Sequence, residues 1–323
     1  MNVIVGLDTS CYTTSCAAVS LDGEVLASCR KLLPVRQGQR GLRQSEAVFA
    51  HVRQLPELME QLGNTLKGHQ IVAVCASARP RDAEDSYMPV FTVGEAHGRA
   101  IAAMLGIPCF FSTHQRGHIA AAKIDSGIQD KDFLAVHLSG GTTEILALRG
   151  SSLDLLGGTM DLHAGQLVDR CGVAMGMSFP SGPSLEALAV SGRAFAQIPV
   201  SMENRDLGCH FSGAEARVKK WLQEGRMSQP DIAMEIYDFL ARTIARLVIA
   251  GKRETGLSSV LIAGGVASSA LFRKLVTERI LKKEEMIVCF GKPEYSGDNA
   301  VGAAMIGREF YLRGEENNGS CSS

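Results

Sequence analysis

The sequence carries nine cysteines but no C-x-x-C pair, which removes the paired-thiol spacing of zinc ribbons and dithiol redox sites. Cys75, Cys109 and Cys289 lie inside apolar runs, so the thiols read as reduced and structural, as in a cytosolic protein. Aromatic residues make up only 6% of the chain. The single tryptophan, Trp221, follows Lys219-Lys220 on a helical stretch, where packing is the expected role rather than stacking on a base. Neither sign of charge is in excess. With a formal net charge of -1, no global field draws the protein to nucleic acid or to an acidic membrane, and a polyanion site has to be a local patch. No apolar run is long enough to span a bilayer. The N-terminus enters the strand-like run Val3 to Leu7 without a basic leader segment, so no membrane or secretory route is expected.

At 323 residues the chain is long enough for two lobes with separate cores. The most informative segment is His114-Gln115-Arg116-Gly117-His118, which follows the strand-like run Ile107 to Phe111. On a helix, two histidines four residues apart project from one face, close enough to share a metal ion. The spacing alone leaves two readings open, a metal pair or a solvated or core-satisfying pair. A metal needs a third ligand. Asp298 is the best candidate, at a turn that opens the small-residue helix from Ala300 to Ala304. Gln115 cannot accept a proton where a zinc protease of the H-E-x-x-H type has its general base, which argues against that chemistry. His51, His69 and His97 are expected to be ordinary surface residues. The one local basic patch runs through Arg30, Lys31, Arg36, Arg40 and Arg43, in a segment with Gly and Gln that reads as a solvated loop.

A theme of strand, Gly/Ser/Thr turn and strand recurs. The first copy is Val3 to Ser10, then Ser15 to Ser20 and Glu24 to Cys29; the second is Phe133 to Thr143, then Glu144 to Leu148 and Leu153 to Leu156. Two related α/β lobes are therefore expected. Helices are predicted over 45–62, 95–105, 163–175 and 232–252. The N-terminal lobe is placed at 1–130 and the C-terminal lobe at 131–299, with a helix over 300–313 packing back on the first and a polar tail at 314–323 expected to be disordered. A Gly/Ser/Thr turn after a strand points backbone N–H groups and hydroxyls at whatever lies above it, and phosphate oxygens are the natural ligand. Asp8-Thr9-Ser10 is one such phosphate turn and Ser139-Gly140-Gly141-Thr142 a second. Gly264-Gly265, after the strand Val260 to Ala263, is a third where bare backbone lets an adenine ring approach. In this order, with the Asp298 turn last, they suggest an actin-like ATPase architecture with the ligand in a cleft between the lobes.

Over nearly the whole chain these segments resemble the TsaD-type subunits of tRNA N6-threonylcarbamoyladenosine synthases, the glycoprotease family, within the ASKHA superfold shared by actin, hexokinase and the heat-shock ATPases. The opening turn is similar to Asp8-Thr9-Ser10-Cys11, the paired histidines match His114 and His118, and the Ser-Gly-Gly turn matches Ser139-Gly140-Gly141. Later motifs resemble Asp161, Gly165 and Asp169, then Pro180-Ser181-Gly182-Pro183, Phe211-Ser212-Gly213, Gly264-Gly265-Val266-Ala267 and Asp298-Asn299. The resemblance implies a catalytic divalent ion, iron or zinc, on His114, His118 and Asp298. It implies an adenylate or ATP-type ligand against Ser139, Gly140, Gly141, Thr142, Asp169, Gly182, Gly264, Gly265 and Ser269. The implied activity is transfer of the threonylcarbamoyl group from threonylcarbamoyl-adenylate to the exocyclic amine of the tRNA adenosine next to the anticodon. The implied partners are tRNA, a small related ASKHA paralogue and an accessory ATPase, in a cytoplasmic setting.

Several positions depart from the family pattern. Tyr12-Thr13 stand where two acids are usual, Arg116 replaces an acid inside the histidine motif, and Arg79 to Asp85 replace a Gly-Pro-Gly loop with a longer, charged one. Thr142 takes the place of a histidine, Leu162 of a second aspartate, His163 of a small residue and Ser269 of an asparagine. Fewer acids together with Arg79, Arg81 and Arg116 make the expected site more positive, which favours a more anionic nucleotide. Two functional readings follow: a threonylcarbamoyl transferase, or a non-catalytic paralogue that binds nucleotide and metal in a protein complex. A sugar or acetate kinase on the same superfold would need Asp8 as its base and leaves the paired histidines without a role.

Overall fold

The computed structural model describes residues 1–10, 12–34, 42–83 and 85–315. The chain opens on β1 (Asn2–Thr9), β2 (Thr13–Ser20) and β3 (Val25–Leu32), then α1 (Gln44–Thr65), β4 (Gln70–Arg79), α2 (Phe91–Leu105), β5 (Cys109–Thr113) and α3 (His114–Lys123). It continues through β6 (Phe133–Leu138), β7 (Thr143–Arg149), β8 (Ser152–Thr159), α4 (Ala164–Ala174), α5 (Gly182–Ala189), β9 (Ser201–Glu203), β10 (Gly208–His210), α6 (Ser212–Glu224) and α7 (Gln229–Thr255). The last elements are β11 (Ser259–Ala263), α8 (Ala270–Leu281), β12 (Ile287–Phe290) and α9 (Val301–Leu312). No helix among the described residues is long and apolar enough to cross a membrane.

The elements form two compact units, Met1–Ala122 with Gly297–Ser323, and Lys123–Ser296. The first unit has a sheet of order β3-β2-β1-β4-β5, the second a sheet of order β12-β11-β6-β7-β8-β10-β9. In both, three antiparallel strands lead to two parallel ones: β3, β2, β1 then β4, β5 in the first, and β8, β7, β6 then β11, β12 in the second. The order 3-2-1-4-5 thus recurs as 8-7-6-11-12, which accounts for the repeated strand-turn-strand theme in the sequence. The central strands read as continuous apolar runs because helices cover both faces; seven of the eight residues of β1 are buried.

In the first unit α1 buries Ala47, His51, Gln54, Leu55, Leu58 and Leu62, a stripe at helical spacing. His51 is 0% exposed, so it is not the surface residue its polarity suggested; the helical period carries it onto the face that meets the sheet. The basic segment also differs from expectation. Arg30 and Lys31 belong to β3, Lys31 pairs with Glu57 at 2.8 Å, and Arg43 is the N-cap of α1; Arg36 and Arg40 lie outside the described residues, as do residues 316–323 of the expected tail.

The boundary expected at 130 falls instead at 122, because the segment after α3 joins the second unit: Asp130 takes the Ser259 hydroxyl of β11. The boundary expected at 299 falls at 296, and Asp298 travels with α9 into the first unit. There α9 packs on β1 and β4. A Cβ at Gly6 would overlap the Ala300 carbonyl, and one at Gly302 would overlap the Gly117 carbonyl of α3. The second unit has its core around the long α7, with Trp221 buried in it as a packing residue. No disulfide joins the described cysteines. Burial pushes the thiols of Cys16, Cys171 and Cys209 up to about 12, so they stay protonated at neutral pH.

The close approach of α9 to α3 is testable. Gly302→Ala is expected to destabilise the protein by about 1–3 kcal/mol, since the methyl meets backbone that no rotamer change relieves. Gly213→Ala in α6, whose Cβ would have nothing within 4 Å, is expected to be neutral or stabilising by about 0.5–1 kcal/mol. Urea midpoints of the two variants read the difference, and equal midpoints would contradict the packing.

Candidate metal centre

The centre is assembled within the first unit. Thr113 ends β5, and its hydroxyl accepts the Arg116 amide at 3.2 Å, an N-cap bond that starts α3 directly after the strand. One helical turn then separates His114 from His118 and brings their Nε2 atoms to 3.0 Å. Asp298 enters from the loop before α9. There Asn299 donates to the Gly297 carbonyl at 2.8 Å and accepts the Val301 amide at 3.0 Å. The turn sets Asp298 Oδ1 3.6 Å from His114 Nε2 and 3.3 Å from His118 Nε2.

These three atoms fit a metal ion. Edges of 3.0, 3.3 and 3.6 Å make a triangle whose corners lie about 1.9 Å from its centre, so an ion slightly off the plane is about 2.0–2.2 Å from all three, the bond length of zinc to imidazole or carboxylate. Among the described residues this is the one group of three metal-ligating side chains close enough to share an ion. The side chains of His114, His118 and Asp298 are 20%, 12% and 26% exposed, so one side stays open to a further ligand.

Residues behind the triad fix its geometry. His114 Nδ1 donates to Asp8 Oδ2 at 2.8 Å, which leaves Nε2 as the lone-pair nitrogen. Ser10 donates its amide to Asp8 Oδ1 at 3.2 Å and its hydroxyl to Asp298 Oδ2 at 3.0 Å. The Thr9 hydroxyl donates to the Val90 carbonyl at 2.8 Å. Asp8, Thr9 and Ser10 are all buried, so their side chains do not present the open phosphate turn expected of them; they are turned inward, and Asp8 and Ser10 bond to His114 and Asp298. Asp8 is likewise not an exposed base.

Electrostatics favour a cation here. Burial opposes protonation of His114, but the Asp8 carboxylate and then Asp298 outweigh it and raise its proton affinity well above the ordinary imidazole range. Burial also opposes ionisation of Asp298, yet bonds from His114 and His118 hold its carboxyl well below the usual range. The carboxylates of Asp8 and Asp298 thus favour positive charge in this pocket, which a proton and a metal ion would compete to supply. Arg116, expected to make the site more positive, forms an ion pair with Asp82 that offsets its charge.

In the second unit the structure brings two of the expected turns together. Gly264, at a φ of 101°, follows β11, and a Cβ there would overlap the Leu138 carbonyl at the end of β6. The turn 139–142 starts at that same strand end. Its Ser139 Oγ accepts the Gly141 amide at 3.2 Å and the Thr142 amide at 3.0 Å, so Gly141 is not an open donor; the exposed Gly140 amide has no partner among the described residues. Asp169, Gly182 and Ser269 stand around α4, α5 and α8. Asp169 accepts the Ser181 amide at 2.8 Å, Gly182 accepts the Tyr237 hydroxyl at 3.1 Å, and Ser269 caps α8 through the Phe272 amide at 3.0 Å. His163 is the N-cap of α4.

Sequence reasoning named Ser10 only as part of a phosphate turn and missed its bond to Asp298 and the reach of Asp161. The carboxylate of Asp161 accepts the amides of Phe211, at 2.8 Å, and of Ser212, at 3.2 Å, together with the Ser212 hydroxyl, and so ties the end of β8 to the start of α6. An acid followed some fifty positions later by Phe-Ser-Gly gives no local sign of this contact.

The sequence model described as tRNA N6-adenosine threonylcarbamoyltransferase, the TsaD family, matches residues 35–306. The tRNA N6-adenosine threonylcarbamoyltransferase of Caldivirga maquilingensis is 30% identical over 318 residues, 97% of this chain and 91% of the relative. Among solved structures, HypF of T. kodakarensis superposes with a TM-score of 0.61 at 15% identity, over 97% of this chain and 48% of that one. A ROK family glucokinase from Streptomyces griseus, in complex with glucose and AMPPNP, gives 0.54 at 15% identity, over 95% of this chain and 99% of that one. At that identity the structural likeness shows the fold alone, and the fold is of the ASKHA type, as the motif order implied.

The Asp161 bonds predict a pH dependence. Burial works against its charge, but the bonds from Phe211, Ser212 and Leu162 outweigh it and lower the carboxyl to about 2. A carboxyl whose proton affinity is depressed by folding stabilises above its unfolded value, near 4, and loses that contribution as pH falls through the folded value. Solvent screening at this exposed position limits the effect to about 1 kcal/mol. Asp161→Asn is therefore expected to lower the urea midpoint at pH 7, with the gap from the parent closing between pH 4 and pH 2. A gap independent of pH would rule the account out.

Proposed function

The chain belongs to the TsaD family of tRNA N6-adenosine threonylcarbamoyltransferases, and on that premise we propose that it moves the threonylcarbamoyl group of threonylcarbamoyl-adenylate to the exocyclic amine of the tRNA adenosine beside the anticodon. In this reading His114, His118 and Asp298 hold one divalent ion. The observation that carries it is the convergence of His114 Nε2, His118 Nε2 and Asp298 Oδ1 on one open point. Two neutral imidazoles and one carboxylate leave further positions open and suit iron(II) or zinc. Such an ion, when bound, supplies Lewis acidity at a carbonyl or phosphoryl oxygen.

The protein's own groups orient the reactants. In the transfer, the amine nitrogen bonds to the carbamoyl carbon, the bond from that carbon to the adenylate phosphate oxygen breaks, AMP leaves and the amine gives up a proton. The exposed Gly140 amide is the donor available to an adenylate oxygen, with Ser139 and Thr142 shaping its turn. Gly264 and Gly265 offer bare backbone to the adenosine. Asp169, Gly182 and Ser269 serve by fixing the backbone around α5 and α8, consistent with their hydrogen bonds. Asp8 and Ser10 orient the metal ligands rather than a phosphate. The same reading includes tRNA as substrate, a small related ASKHA paralogue and an accessory ATPase as partners, and a cytoplasmic setting.

Protein purified under conditions that protect iron is expected to carry about one equivalent of metal, and His118→Ala to lose nearly all of it with a fall in transfer of ~100-fold or more. Metal analysis and tRNA modification with a supplied adenylate check the two statements. Metal retained by His118→Ala would overturn the site. Metal bound as expected without any transfer would favour the alternative, a non-catalytic paralogue that binds nucleotide and metal in a protein complex.

A further inference from the structure

His51 is a fully buried histidine that the transfer reading leaves without a task. The stripe of α1 on which it sits also carries Ala47, Gln54, Leu55, Leu58 and Leu62, and an apolar side chain at 51 would fill the core there without the cost of burying two ring nitrogens. Both nitrogens are instead paired. Nε2 lies 2.8 Å from the Ser10 carbonyl and Nδ1 lies 2.8 Å from Thr14 Oγ1. Thr14 Oγ1 is in turn 2.8 Å from Gln54 Oε1, and Gln54 Nε2 donates to the Leu32 carbonyl at 3.3 Å. A carbonyl only accepts, so Nε2 carries a hydrogen and donates it to Ser10.

Ser10 lies one residue past the end of β1, where the strand ladder with β2 stops at Thr9. The bond from His51 takes over where the sheet no longer holds the backbone. Two other polar groups of Ser10 lead to the candidate centre: its amide bonds to Asp8, which holds His114, and its hydroxyl lies 3.0 Å from Asp298 Oδ2, closer than the 3.4 Å to the Thr13 carbonyl. A shift of the Ser10 backbone therefore moves the partners of two of the three ligands at once.

We propose that His51 is a positioning residue of the metal centre, holding the Ser10 carbonyl so that Ser10 orients Asp298 directly and His114 through Asp8. The proposal rests on the metal site of the transfer reading, and its failure is distinguishable from failure of that site. The probe is cobalt(II) added to metal-free full-length protein, read by its visible absorption and by its dissociation constant. His51→Leu is expected to weaken cobalt binding about 10–100-fold and change the band shape, while His51→Gln, which can direct an amide N–H to the same carbonyl, recovers most of the loss. A purely structural role would not be rescued in the spectrum by an amide.

If His51→Leu does not fold, Thr14→Val reports on the same path. It leaves no cavity but removes the hydroxyl that sets the ring, and weaker binding in the same direction is expected. Cobalt affinity and spectrum unchanged in a folded His51→Leu, or in Thr14→Val where the former is unfolded, would overturn the proposal while leaving the triad intact. Cobalt bound equally by parent and His118→Ala would overturn the triad and the proposal together.

Discussion

Two imidazole Nε2 atoms 3.0 Å apart, with a carboxylate oxygen beside them, form an arrangement that favours a positive charge between them, a proton or a metal ion. The first unit is organised to keep it. A strand that runs without a break into α3 fixes the two rings, and a helix whose first turn is built of small residues comes close enough to bring Asp298 within reach. The closeness is a backbone property: Gly302 faces the Gly117 carbonyl and Gly6 faces the Ala300 carbonyl, where any side chain would overlap.

Behind the ligands stands a chain of buried polar groups that would be costly if incomplete. Asp8 selects the tautomer of His114, Ser10 links Asp8 to Asp298, and His51 holds Ser10 from α1. Burial drives the His51 ring below the ordinary imidazole range, against the pull of the Ser10 carbonyl and the Asp8 charge. A ring that prefers to be neutral suits a supporting role, since a second buried cation beside the centre would compete with the ion it serves.

The duplicated topology carries different chemistry in its two copies. At the end of β1 stand Asp8 and Ser10, side chains that brace a metal site. At the end of β6, the equivalent strand of the second unit, stand Ser139 and Gly140, where the hydroxyl closes the turn and a backbone amide is left outward. The strand order repeats while residue choice at the strand ends differs, hydrogen-bonded side chains in one unit and bare backbone in the other, and the proposed function uses the first for a cation and the second for an anionic ligand.

The order of motifs along the chain was enough to give the fold type and the duplication and to single out His114, His118 and Asp298 as candidate ligands, because each depends on local spacing: two histidines one helical turn apart, glycine turns after apolar runs, an acid before a small-residue helix. Helical period also placed His51 on the stripe with Leu55, Leu58 and Leu62, a signal outweighed by its polarity. Other features had no local trace. That Asp8 and Ser10 face inward, that Asp82 offsets the charge of Arg116, that Asp161 reaches α6 and that the unit boundary precedes Ile128 follow from contacts between segments distant in sequence. Spacing determines which residues share a face; only packing decides which partner that face meets, because the energy of a buried polar group is set by the groups around it and not by its neighbours in the chain.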